Sequence, residues 1–260
     1  MPSSSDRVAA PLYLELAPPS GAGAEVDHLF VFRDSGVLSG RGSGRFATDL
    51  FTLSMTSRDD DDGAAAVSLA PPRPAFVPRS APFRGVVAGL RLSSRPQRLP
   101  PAEPTGALSS ALARVRLGDD ALPALVAALD ALARELTFAA PGQAFSERTL
   151  RRRARADTGV SRRRLAAMRR FRHLLGQLAR QTLPLTDLAL EAGYYDQAHM
   201  TAACRAFAGR PAGALRLQAA PRDFGPSLQD AWLGDRLRLV IMDEGKESRH
   251  GAIRAEEPRF

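Results

Sequence analysis

The sequence predicts an α+β protein in which a β-rich amino-terminal region is followed by an all-α one, and three observations carry that expectation. Up to about residue 104, short apolar runs alternate with stretches rich in Gly, Pro and Ser, as in strands joined by turns. From Leu122 onward, apolar residues recur at spacings of three and four, the period of a helix with one buried face. Between Phe145 and Arg172, eleven arginines stand against two acids, Glu147 and Asp157, a local net charge of +9 in a chain whose net charge is +8.

The strands expected in the first region are residues 12–16, 29–32, 46–55 and 86–92, and 51–55 alternates apolar with polar side chains. Asp59 to Asp62 followed by Gly63 reads as an exposed turn, because its acids lack the interleaved spacing of a calcium loop. The glycines at 40, 42 and 44 mark a flexible turn rather than a phosphate cradle, since no helical pattern follows them. Leu122, Leu125, Val126, Leu129, Leu132, Ala133 and Leu136 form a stripe that suits either a core or a seam between two copies. Pro141 and Gly142 interrupt the helical pattern over 138–144. Ser146, with Glu147 beside it, caps a new helix that ends near Gly159, and Ser161 caps the next, whose apolar face is Leu165, Met168, Phe171, Leu175 and Leu178. Two short helices follow at 185–192 and 196–208, separated by Gly193. The tail holds the sole tryptophan, Trp232, an apolar run at 237–242 expected to pack as a strand, and an end from Glu244 expected to be mobile. The resulting division is 1–104, a β-rich domain; 105–137, a linker and amphipathic helix; 138–218, a helical domain; and 219–260, a tail.

Length and composition bound the function. A chain of 260 residues has room for one or two domains with real cores, and 44% hydrophobic with 25% charged residues excludes wholesale disorder. The lone Cys204 cannot form an internal disulfide, and the first dozen residues lack a basic flank followed by an apolar run, so the cytoplasm is the expected compartment. Residues 121–140 are rich in Ala and Leu, but Pro123, Asp130, Arg134 and Glu135 break them, and no membrane span is expected. Only Lys246 among the 36 basic residues is a lysine, a skew that says nothing about function by itself. The distribution does, because outside 145–172 the chain sums to −1. So concentrated a field attracts a polyanion, and the arginine fork matches phosphate oxygens or a guanine edge. A solvated helical face is the other reading of any charge run, but a run almost without acids favours nucleic acid.

Leu188 and Ala189, then Gly193 and a polar-faced helix from Asp196, have helix-turn-helix spacing, in which the small residue lets two helices approach and the glycine permits the turn. Two stretches around that pattern, 146–161 and 188–200 followed by Gly209, resemble the DNA-binding domain of the AraC/XylS family of bacterial transcription regulators. Gly193-Tyr194-Tyr195-Asp196-Gln197-Ala198-His199 is the most specific part, and the likeness covers about 138–218. It implies two helix-turn-helix units joined by a long helix, with both recognition helices facing successive major-groove segments of double-stranded DNA. It also implies DNA contacts from Arg148, Arg151, Arg152 and Arg155 in the first recognition helix, and from Gln197, Ala198, His199, Thr201 and Arg205 in the second. Gln197 suits an adenine edge or a hydrogen bond at the helix start, while His199 suits packing or a phosphate better than a base.

The sequence departs from the family pattern at several positions. Ala154 and Cys204 stand where the family has core aromatics, Ala202 where an arginine is common, and Pro211 falls one residue early. A lost buried ring costs on the order of 3 kcal/mol unless neighbours fill the space, and Ala202 removes one contact from the second head, so the first head is expected to dominate affinity. More faintly, 28–33, 44–51 and 85–91 resemble the sensor domain that precedes this unit in many members, implying a small-molecule effector or dimerisation there. The resemblance further allows RNA polymerase and a second copy of the chain as partners, and needs no cofactor and no catalytic residue.

Histidines only at 28, 173, 199 and 250 do not make a metal cluster, and His199 and Cys204 do not share a helix face. No nucleophile sits in a recognisable elbow, so no enzymatic activity is expected. Two other readings stay open at this point: a protein-interaction module whose arginines dock an acidic partner, and a ligand-binding or enzymatic β domain with helices merely attached.

Overall fold

Alternation along each strand decides which side of the sheet is buried. In the computed structural model, which describes residues 11–36, 44–60, 66–100, 102–117, 121–138, 147–180, 183–218 and 236–242, the strands are β1 (Leu12–Leu16), β2 (Val26–Ser35), β3 (Gly44–Arg45), β4 (Phe51–Arg58), β5 (Val67–Ala70), β6 (Val77–Pro78), β7 (Arg84–Leu92) and β8 (Leu237–Met242). Six of them form an antiparallel sheet in the order β5-β4-β7-β2-β1-β8, and β3 pairs with β6 separately. Leu14, Leu16, Leu29, Val31, Leu53, Met55, Val86, Ala88, Leu90 and Leu92, two residues apart along their strands, line one buried face. Tyr13, Glu15, His28, Phe30, Thr52 and Arg91 occupy the alternate positions, with Arg91 opposite Thr52 on one side and His28 on the other.

Two helices, α1 (Ala102–Arg116) and α2 (Leu122–Glu135), cover the apolar face, so the stretch 105–137 shares one core with the sheet. Leu125, Leu129 and Leu132 are buried there against the sheet residues and against Leu108 and Leu112. The leucine stripe is therefore core, which removes it as a seam between copies. Helix α1 was not expected: Leu108, Ala111, Leu112 and Val115 keep helical spacing, but Pro104, Gly106, Ser109 and Ser110 dilute the pattern. Pro104 is tolerated because it lies in the first turn, where its missing N–H has no partner to lose.

Strand β8 fulfils the expectation for 237–242 and closes one edge of the sheet against β1. Arg236, just before it, donates from Nη1 and Nη2 to the two carboxylate oxygens of Asp130 at 2.8 and 2.7 Å, and from Nη2 to the Ala17 carbonyl at 2.8 Å. An acid inside an apolar helical stripe thus has its counter-charge from a residue 106 positions away. The run expected as one strand over 46–55 is divided: β4 begins at Phe51, while Phe46 and Ala47 leave the sheet and pack among the helices that follow.

Those helices are α3 (Glu147–Thr158), α4 (Arg162–Arg180), α5 (Leu185–Glu191), α6 (Gln197–Ala208) and α7 (Ala212–Gln218). Leu165, Met168, Phe171, Leu174 and Leu178 of α4 form the spine of a second core; Leu174 is fully buried and Leu175 half-buried beside it. Helix α7, too short to announce itself by periodicity, starts beyond Pro211 and buries Ala212 and Leu215. No described helix is long and apolar enough to cross a membrane. Trp232, Pro141-Gly142, Ser146, the glycines at 40 and 42, Asp61 to Gly63 and the end from Glu244 lie outside the described residues.

Leu129→Ala, which empties the centre of the first core, is expected to lower unfolding stability by roughly 2–5 kcal/mol. Chemical denaturation followed by circular dichroism measures it, and a change below about 1 kcal/mol would show that Leu129 is not core.

Candidate nucleic-acid interface

The turn between α5 and α6 is built from small and capping residues. Leu188 and Ala189 are fully buried against the neighbouring helices, and the Tyr194 N–H donates to the Ala189 carbonyl at 2.8 Å, folding the chain back on itself. Gly193 adopts φ +76°, a left-handed conformation that other residues reach only with strain. Asp196 caps α6, its Oδ1 accepting the His199 N–H at 2.6 Å. Met200, Cys204, Phe207 and Ala208 point inward at spacings of four, three and one. Gln197, Ala198, His199, Ala202 and Arg205 are exposed, and Thr201 is half-buried.

Within that outward set the roles differ. The His199 ring packs edge-on against Tyr194, with centroids 5.3 Å apart, and its Nδ1 accepts the Tyr195 N–H at 3.4 Å, so it is engaged by its own turn. The Asp196 cap bond goes to His199 rather than to Gln197, whose side chain stays exposed. Burial pushes the Cys204 thiol up to about 11, as suits a small core group.

The α3–α4 turn is also locally closed. The Thr158 hydroxyl donates to the Ala154 carbonyl at 2.5 Å and accepts the Val160 N–H at 3.1 Å. Ser161 caps α4 through a 3.2 Å bond from the Arg164 N–H, as its sequence position predicts. Arg148, Arg152 and Arg155 are exposed at spacings of four and three, one face of α3, with Ala154 half-buried on the inward side. Arg151 lies on the same helix; its side chain is outside the described residues.

Part of the arginine run faces the sheet-bearing half of the chain, which corrects the expectation of a single polyanion-binding patch from Arg148 to Arg172. Asp49, with its side chain 1% exposed, accepts from Arg169 Nε at 3.2 Å and Arg172 Nε at 3.1 Å. Arg172 Nη1 also reaches Asp27 at 2.7 Å. Burial pulls the Arg172 guanidinium down, but Asp49 and Asp27 outweigh it and leave it more basic than usual. Burial likewise raises Asp27, yet hydrogen bonds from His28 and Arg172 hold it well below the usual carboxylate range. Arg164 donates to the Pro74 carbonyl at 2.9 Å and lies 4.4 Å over the Phe207 ring. The Ala47 and Phe76 N–H groups donate to the carbonyls of Phe207 and Ala206 at 2.8 and 3.1 Å, serving the carboxy-terminal end of α6. None of this was legible beforehand, because each partner lies far along the chain and nothing local marks the pairing.

Short helix, three-residue-scale turn and second helix with an outward polar row define a helix-turn-helix unit. Residues 143–218 match the family model of a helix-turn-helix domain. The match is of the AraC type, which indicates a DNA-binding domain of the kind found in transcription regulators over this segment and implies DNA as its partner. No curated protein and no solved structure matches the chain. Among the described residues, no group of three His, Cys, Asp or Glu side chains could hold a metal ion.

Asp49→Ala is expected to cost about 2 kcal/mol in unfolding stability, below the full loss for a buried pair because Arg169 is two-thirds exposed and regains water. Its measurable signature is easier proteolytic cleavage between the sheet and α3. A second expectation follows from Asp27, whose depressed pKa stabilises the fold above the ordinary range near 4 and stops doing so as pH falls through the lower folded value. The stability gap between wild type and Asp27→Asn should be constant from pH 5 to 7 and shrink below about pH 4 in acid denaturation series.

Proposed function

We propose that the protein is a sequence-specific transcription regulator with two reading heads, one carrying α3 and the other the helix-turn-helix of α5–α6, that read successive major-groove segments on one side of a duplex. The observation that carries the reading is the outward row of α6 set against its locked inward row: Met200, Cys204 and Phe207 fix the helix, leaving Gln197, Ala198, Thr201, Ala202 and Arg205 to a partner. The length of α4 supports two heads, since 19 helical residues rise about 28 Å, near the roughly 34 Å of one duplex turn.

Arg148, Arg151, Arg152 and Arg155 are the contacts of the first head, serving phosphates or guanine edges. Gln197 reads a base edge, Ala198 allows close approach, and Thr201 and Arg205 contact the backbone. His199 acts through the turn it packs on, and a phosphate is its closest reach. With Ala202 in place of a longer side chain, the second head contributes less than the first. The β-rich half controls the reader by docking on α4 and α6; RNA polymerase and a second copy of the chain are the further partners of such a regulator.

Arg152→Ala is expected to weaken duplex binding about tenfold with circular dichroism unchanged. Anisotropy titrations should also show log affinity falling linearly with log salt, with a slope shallower by about one in the variant. Equal affinity for a selected duplex and its scrambled version at matched salt would defeat the claim of sequence reading.

A further inference from the structure

One arginine of α4 meets the turn between α5 and α6, and it is used differently from its neighbours. Arg164, Arg169 and Arg172 are bound to the sheet-bearing half. Arg170 instead reaches the turn: its guanidinium carbon lies 5.6 Å from the centre of the Tyr194 ring, and its Nε would stand 3.8 Å from a Cβ placed at Gly193. It is exposed, and among the described residues its N–H groups have neither a carboxylate nor another acceptor. Contact with the ring holds the guanidinium in place and leaves its donors unspent.

Tyr195, next in the turn, is 85% exposed, the most of any large apolar or aromatic side chain described. Its backbone is nevertheless fixed, since its N–H donates to His199 Nδ1 at 3.4 Å and the His199 ring packs 5.3 Å from that of Tyr194. Printed contact by contact, Arg170, Tyr194, His199 and Tyr195 thus form one patch at the start of α6, beside the exposed Gln197 and Ala198. A ring left in water contributes little to folding, but it offers area and a hydroxyl to whatever meets this end of the helix. Charge says what that is. Helix α6 opens on the Asp196 carboxylate, and its single arginine, Arg205, lies in the last turn. A helix entering a duplex groove by its first turns therefore carries an acid toward the phosphates, a repulsion that a cation at the same end offsets.

We propose that Arg170 and Tyr195 hold the DNA backbone at the margin of the groove that α6 enters, the Arg170 guanidinium pairing with one phosphate and the Tyr195 hydroxyl donating to another. The rod between the heads is then itself part of the second head's contact surface, and the two residues position α6 without reading sequence. The inference rests on the DNA-binding reading and deepens it; it does not rest on sequence specificity, since phosphates are alike in every duplex.

The test uses the full chain and two probes, a mixed-sequence duplex and a duplex selected from a random pool by the wild type, in anisotropy titrations over a salt series. Arg170→Gln should weaken both probes by about tenfold and make the log–log salt slope shallower by about one. Arg170→Lys should keep the slope, and Tyr195→Phe should cost both probes roughly threefold with no change of slope. Melting temperatures should match wild type. An Arg170 that only pins the turn would instead lower the melting temperature of Arg170→Gln and leave the salt slope untouched, a result that overturns the proposal. Loss confined to the selected duplex overturns it too, because the residues would then read bases. Arg170→Gln indistinguishable from a wild type that binds both probes defeats this inference alone, whereas a wild type that binds neither removes the DNA-binding reading and this inference with it.

Discussion

The buried carboxylate of Asp49 is the constraint on which the arrangement of the two halves depends. A carboxylate that is almost fully buried must be paired, and the partners available to it are Arg169 and Arg172, on α4, more than a hundred residues later. Once α4 is held there, Phe46 and Ala47 reach the core of the helical half, and the N–H groups of Ala47 and Phe76 reach the end of α6. Gly209 shows how close that approach is: it ends α6 at φ +71°, and a Cβ there would stand 2.6 Å from the Phe76 ring. Any side chain at 209 would be strained and would also force the Phe76 ring to shift.

That contact also supplies part of the packing of the helical half. Cys204 and Ala154 offer little volume to that core, yet Cys204 is fully buried and Ala154 packs against it. The large side chains of that core come from both halves. Phe46 sits 6.5 Å from Phe171, Phe171 sits 5.4 Å from Phe207, and Phe76 stands 6.3 Å from Phe46, an aromatic chain that begins in the sheet-bearing half and ends in α6. The helical half therefore takes part of its core from residues about 120 positions earlier, and its packing depends on the sheet being in place.

Local features of the fold were legible in the sequence and distant pairings were not. Residues 12–16 and 237–242 are strands at the limits their apolar runs indicate, and Ser161 caps the helix it precedes. These depend on neighbours within a few positions. Helix α1 was hidden by Pro, Gly and Ser, and the run from Phe46 was read as one strand because apolar residues look alike whether they face a sheet or another body. At the site, the exposed faces of α3 and α6 follow from helical period alone. The diversion of Arg164, Arg169 and Arg172 does not, because an arginine's target is set by whichever carboxylate or carbonyl the fold brings within reach, here Asp49, Asp27 and Pro74.

Dividing the arginines in this way separates two jobs that one run of charge would otherwise confuse. Arg148, Arg152 and Arg155 face water on α3, where counterion release can reward a duplex, while Arg169 and Arg172 are spent on orientation. Their attachment fixes α4, and with it the mutual disposition of whatever α3 and α6 present. A reader with two heads gains from a rigid rod only if the rod is held in the reading geometry, since any freedom must be given up on binding. On the proposed two-head reading, loosening the Asp49 contact would change DNA affinity without touching DNA, and by linkage DNA would bias that contact by the same free energy. The sheet-bearing half, through Asp49, Phe46 and Phe76, is in a position to set how well the helices read.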